Sequence, residues 1–255
     1  MRARPGSRSS LASGPLLLLA ACAPVAVSAQ VGYSRLHVDG ELALANSAAS
    51  GGSQDLGSAF GLGDERGSPF ARVVADFGVP VLGVSGFWLH EAGAGVLADS
   101  FGGLPPSTPV TTDLDLGSFQ VMALAEFACG PVVVAPGLLV DVFAIDFRAS
   151  TSPGNAEVID EIVAVPLPGL RVSGSPVPGC DLALTGGWLD ARSLLDSDVR
   201  FLDVEAAVTW RLAGGIDVQG GYRWLEADAA ADSATDSVRI DLQVRGWFID
   251  AGVRF

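Results

Sequence analysis

Two histidines stand beside carboxylates, the arrangement that acid–base chemistry uses. His37 is followed by Asp39 and Glu41 in an alternating stretch, and His90 is followed directly by Glu91. A carboxylate that holds a histidine fixes its tautomer and stabilises the cation it becomes, which makes the ring a general base. Carboxylates are so numerous here, 29 Asp and Glu in 255 residues, that an acid near any histidine follows from composition alone. The residues therefore read as a non-enzyme without a cofactor. Asp113, Asp115, Asp196, Asp198, Asp228, Asp232 and Asp236 fall in or near loops, where they could gather a divalent cation. No spacing among them matches an EF-hand loop, so they read as solvated loop charge and no metal site is assigned. A phosphate loop needs Lys, and every one of the 15 basic residues is Arg. The formal charge of −14 speaks against a nucleic-acid partner, which requires a basic footprint.

The elements that would position these side chains are strands. Nearly half of the residues (49%) are hydrophobic, yet beyond the N-terminus no apolar run approaches the 18 or so residues of a membrane helix. The nearest, Val132 to Ile145, is broken by Pro136, Gly137 and Asp141. Instead, segments of alternating hydrophobicity follow one another. They begin with Ser34 to Ala45, Pro69 to Val79, Val81 to Leu97 and Thr111 to Phe127. Val132 to Arg148, Ile159 to Val172 and Asp181 to Ala191 continue the series. Two more centre on Leu202–Leu212 and Ile216–Trp224, and the last runs from Val238 to Phe255. Leu202, Val204, Ala206 and Val208 are expected to face out, with Asp203 and Glu205 inside. His37, Asp39 and Glu41 are placed on the inner face by the same reasoning. Pro166 and Pro168 predict a bulge or break, because proline cannot donate to a ladder. In the last segment Val238, Ile240, Leu242 and Val244 share one parity and Trp247, Ile249, Ala251, Val253 and Phe255 the other, which predicts a bulge near Gly246.

Short links near Pro80, Gly130, Pro178 and Gly214 alternate with longer ones at 46–68, 98–110, 149–158, 192–199 and 228–236. That rhythm predicts an all-β fold: a closed, antiparallel, up-and-down transmembrane β-barrel of about ten strands, with eight as the alternative. Its edges must close, since an unpaired backbone in lipid is costly. Trp210, Tyr222, Trp224 and Trp247, with Trp88 and Trp188, are candidate interface aromatics.

Residues 1–29 read as a signal peptide. Arg2, Arg4 and Arg8 precede an apolar stretch from Leu16, and Val27-Ser28-Ala29 is a small-residue cleavage site, which leaves 30–255 as the barrel. Leu19-Ala20-Ala21-Cys22 offers a rival reading, lipidation of Cys22. Cys129 and Cys180 fall in short links at the same rim. A disulfide between them requires residues 175–179 to fold across that rim, and the alternative is two separate thiols.

With the signal peptide, the alternating segments and the terminal Trp247-Phe248-Ile249-Asp250-Ala251-Gly252-Val253-Arg254-Phe255, residues 30–255 resemble the small bacterial outer-membrane barrels of the OmpA-like and OmpW-like kind. The resemblance implies an outer-membrane location, lipid and lipopolysaccharide as surroundings, and Phe255 as a signal for the barrel assembly machinery. It implies no specific activity or oligomeric state. The function expected is an integral barrel with a structural or narrow-channel role. Two alternatives remain: a membrane-embedded enzyme acting on lipid or peptide, and a soluble, lipocalin-like barrel anchored through Cys22. No omptin-like or deacylase motif maps onto His37 or His90.

Overall fold

The computed structural model describes residues 25–46, 51–152, 154–191, 199–232 and 236–255. Twelve strands lie among them: β1 (Ala26–Asn46), β2 (Gln54–Asp55), β3 (Arg66–Asp76), β4 (Pro80–Val96), β5 (Pro109–Ala125), β6 (Phe127–Cys129), β7 (Val132–Ser150), β8 (Ala156–Val177), β9 (Cys180–Asp190), β10 (Val199–Arg211), β11 (Ile216–Asp232) and β12 (Asp236–Arg254). Ten of them, all but the short β2 and β6, pair antiparallel with their sequence neighbours, and β12 pairs with β1 to close the ring. The expected ten-stranded barrel is thus what the chain forms. No helix among the described residues is long and apolar enough to cross a membrane.

Hydrogen-bonded partners climb around the ring, from Asp181 through Thr209, Gln219, Asp250, Gly32, Phe70, Phe87, Ser118 and Phe143 to Val163. Asp181 itself lies beside the Gly174–Val177 region of β8, so one circuit rises by roughly 12 residues, the stagger that tilts the strands of a closed barrel.

The barrel has two zones. At the end with the short turns, the outer surface is apolar: Val31, Val73, Leu82, Val84, Phe119, Val121, Leu182, Leu184, Ile249 and Val253 are exposed. This belt spans about nine residues, from Trp247 in β12 to Phe255 just beyond its end, which suits a tilted strand crossing a bilayer. At the end with the long loops the polarity inverts. Arg35, Asp113, Asp115, Asp146, Arg148, Asp241 and Arg245 face outward there. Leu36, Val38, Leu42, Leu89, Leu114, Leu116, Phe143, Ile145, Phe147, Leu242 and Val244 fill the inside.

Two inserted loops complete that inner core. Residues 51–65 carry the short helix α1 (Leu56–Phe60), capped by Asp55, whose carboxylate accepts the Ser58 N–H at 2.7 Å. That bond holds the Asp55 carboxyl below its ordinary range. Phe60 and Phe101, from the second loop, meet Phe147 of β7 edge-on, with centroids 4.8–5.7 Å apart. Thr112 donates to the Phe60 carbonyl at 2.5 Å and pins the helix end to β5.

Several expectations are corrected here. There is no bulge at Gly246: the ladders to Leu36 and Arg223 run straight through it. Inward residues keep even numbers along all of β12, and the apolar set changes parity because the strand passes from one zone to the other. Gly246 serves close approach instead, since a Cβ there would lie 2.0 Å from the Arg35 carbonyl oxygen. Pro166 and Pro168 pair with Val140 and Leu138 in an unbroken β7 ladder, and the register shift falls at Gly174–Val177. Strand reaches into the links expected at 149–158 and 228–236, because polar alternating residues extend β7, β8, β11 and β12 beyond the belt. β1 begins at Ala26, and Ala26–Ala29 pair with β3 and, from Ser28 on, with β12.

Candidate functional site

Where the two zones meet, inward side chains from five strands form a charged layer. Strand alternation sends Asp203 and Glu205 of β10 inward, with Arg223 of β11, Asp141 of β7, Gln120 of β5 and Arg72 of β3. Arg223 grips Asp203 with both arms, Nε to Oδ1 at 3.1 Å and Nη2 to Oδ2 at 2.6 Å. The same Nη2 stands 3.5 Å from Asp141 Oδ1, and Gln120 donates to Asp203 Oδ2 at 2.6 Å. The guanidinium lies over the Phe87 ring, 5.6 Å from its centroid. Beside it Arg72 pairs with Glu205 at 2.5 Å, its guanidinium over the stacked rings of Phe70 and Phe248. Asp203 and Asp141 are 1% and 0% exposed. Carboxylates so deep need a cation facing them: Asp203 has Arg223 and the Gln120 amide, whereas both Asp141 oxygens lack a hydrogen-bond partner and rely on the charge of Arg223. The layer therefore braces the lumen, and the apolar core stands directly above it.

Below the layer lies a polar cavity of about 370 Å³ that opens at the short-turn end. Gln30, Ser85, Arg171, Thr185 and Gln219 line its wall. Its rim holds the ion pairs Arg211–Asp181 and Arg254–Asp217, the latter at 3.8 Å. Hydroxyls, amides and mutually paired charges offer hydration and ion pairing, with neither a histidine nor a cysteine among the lining residues.

The histidines lie elsewhere, and the inward placement of His37, Asp39 and Glu41 is corrected. All three face outward, because the stretch from Leu36 to Leu44 belongs to the loop-end zone, where the apolar face turns in. His37 Nε2 is 2.8 Å from Asp39 Oδ2, which Arg245 Nη2 also approaches at 3.0 Å. His90 Nδ1 is 3.0 Å from Asp115 Oδ1, again on the outer wall. Glu91 is not the partner of His90. It turns inward and accepts the N–H groups of Gly63 and Asp64 at 2.9 and 3.1 Å, tying down the inserted loop. Nothing in its sequence context signals that role.

Among the other aspartates, Asp113 and Asp115 point outward on β5, while Asp196 and Asp198 lie outside the described residues. No group of three or more His, Cys, Asp or Glu among the described residues could hold a metal. Across β1, β12 and β11, Glu41, Asp241 and Asp228 stand directly opposite one another. Partial burial and these two like charges push the Asp241 carboxyl up. Trp247, Tyr222, Trp224, Trp188 and Trp88 face outward at the upper edge of the apolar belt, and Trp210 faces outward near its lower edge. Phe255 is exposed, and its backbone exchanges two hydrogen bonds with Val27, 2.9 and 3.0 Å long. Cys129, in β6, and Cys180, the first residue of β9, are free thiols separated around the wall by β7 and β8.

No family model matches the sequence, and no curated relative does. Solved structures do match the fold. The outer-membrane protease OmpT of Escherichia coli superposes with a TM-score of 0.56 over 92% of this chain and 99% of that one, at 10% identity. The attachment invasion locus protein Ail of Yersinia pestis, in complex with a heparin analogue, gives 0.39 over 91% and 99%, at 13% identity. Neisserial surface protein A gives 0.35 over 91% and 97%, at 15% identity. At 10% identity the likeness to OmpT is one of fold: both chains are closed antiparallel barrels.

Proposed function

We propose that this protein is an integral outer-membrane β-barrel with a structural role, closed to solutes and without catalytic activity. One observation carries the reading: a packed apolar core, Phe60, Phe101 and Phe147 with Leu89, Leu114 and Leu116, fills the loop-end half of the lumen above the Arg223–Asp203 layer. A water-filled pore needs a continuous polar lumen. The outward position of both histidine–carboxylate pairs supports the absence of catalysis, because neither faces a cavity that would desolvate a substrate.

In this reading residues 1–29 direct export and the outward aromatics, Trp210, Tyr222, Trp224 and Trp247 among them, sit at the bilayer interfaces. Lipopolysaccharide surrounds the loop-end zone, and Phe255 is recognised during assembly. The test is conductance of the folded, heat-modifiable protein in planar bilayers. No discrete channel steps are expected in the presence of its loops, and reproducible steps would overturn the closed-barrel reading.

A further inference from the structure

β8 outruns its neighbour. Its ladder with β7 is continuous from Val132–Gly174 to Ser150–Ala156, but its ladder with β9 begins only at Gly169. Among the described residues, 156–168 therefore has a strand partner on one side only. Elsewhere in the long strands exposure mostly alternates, and no run of exposed residues exceeds three. Here Asp160, Glu161, Ile162, Val163 and Ala164 are exposed in succession, with Ile162 at 72%. Both faces are open as well as the edge.

The prolines reveal which backbone groups are free. Pro166 and Pro168 sit within the unbroken β7 ladder without N–H groups to give it. Residues of their parity must therefore direct their N–H and C=O away from β7. Val158, Asp160 and Ile162 share that parity. Opposite them on β7 stand Arg148, Asp146 and Ala144, so the free edge rises from the top of the apolar belt into water. An exposed, apolar strand edge is a template for a further strand.

We propose that this edge of β8 docks an extended, basic polypeptide segment by strand addition. The free N–H and C=O groups supply register, Val158 and Ile162 supply apolar contact, and Asp160 and Glu161 select for cationic residues. A second copy of this chain fits poorly, because edge-to-edge pairing sets these carboxylates against their own kind. That the edge lies outside the cell rests on the reading given above; the docking chemistry does not.

The experiment uses the full folded protein in detergent micelles and a fluorescent synthetic peptide alternating Arg and Val. Its control has the same charge, with Pro replacing every Val. Saturable binding of the first peptide alone is expected, with slower amide exchange at Val158, Asp160 and Ile162. Val158→Pro and Ile162→Pro remove edge N–H groups yet leave the β7 ladder as Pro166 and Pro168 do. Each should weaken binding by about tenfold or more, whereas Ile162→Thr, which keeps the edge N–H and loses only apolar contact, should weaken it less than Ile162→Pro, and heat-modifiable mobility confirms that the variants fold. Four results would each overturn the proposal: no saturable binding, equal binding of the proline peptide, amides already protected in the free barrel, or dimerisation through the edge. Micelle binding is independent of lumen conductance, so failure here and failure of the closed-barrel reading are distinguishable.

Discussion

The lower half of β12 turns Trp247, Ile249, Ala251 and Val253 outward and Phe248 and Asp250 inward. A few residues earlier the same outward parity carries Arg239, Asp241, Gln243 and Arg245, and the inward parity carries Val238, Ile240, Leu242 and Val244. The backbone does not change between them; the register to β1 and β11 is unbroken. What changes is the surroundings of the wall. Apolar side chains face out where lipid is outside, and the lumen is then left to Arg223, Asp203 and Arg72. Where water is outside, the charges move there and the lumen becomes an ordinary packed core. One ring of strands thus holds a membrane barrel and a water-soluble barrel end to end.

The comparison is broken most severely at the charged layer. Arg223→Leu leaves Asp203 and Asp141 buried without their cation, and is expected to cost about 3–5 kcal/mol. The measurement is denaturant unfolding in micelles, read by Trp fluorescence. Adding Asp203→Asn and Asp141→Asn should recover much of the loss; a single variant as stable as the parent would show that the layer is hydrated rather than sealed.

A sharper test places one charge in each zone on one face of one strand. Ile249→Arg, in the apolar belt, should cost about 2–4 kcal/mol in lipid bilayers if it lies near the midplane. Gln243→Arg, of the same parity above the belt, should change stability by less than about 0.5 kcal/mol. Equal effects would erase the boundary drawn here.

The smallest effect concerns the outer wall in water. Asp241 faces Glu41 and Asp228 across the ladders, and its carboxyl is raised by partial burial and by both. A raised folded value means that stability is fully present below the unfolded value and is lost as pH rises through the folded one. Asp241→Asn should therefore stabilise the barrel near pH 7 by about 0.2–1 kcal/mol. The gain should fade as pH drops below the ordinary aspartate range, and unfolding midpoints measured against pH for both proteins would reveal a gain that persists in acid.

The residues themselves determined much of this protein. Period-two alternation, turn residues and the rhythm of short and long links specified about ten strands, an antiparallel ring and the inward face of Asp203 and Glu205. These properties are local: a strand's parity is written in consecutive residues. Only the tertiary structure decided the sign of that parity. Alternation says that Leu36, Val38 and Leu42 share a face, but not whether lipid or a core receives it, so alternation alone puts His37 and Asp39 on the wrong side. The parity switch in β12 likewise resembles a bulge until the belt is located. Which acid meets Arg223, that Glu91 holds Gly63 rather than His90, and that β8 runs on past its ladder with β9 all depend on strand stagger and relative strand length. Those quantities arise from closing the ring, which joins residues far apart in the chain.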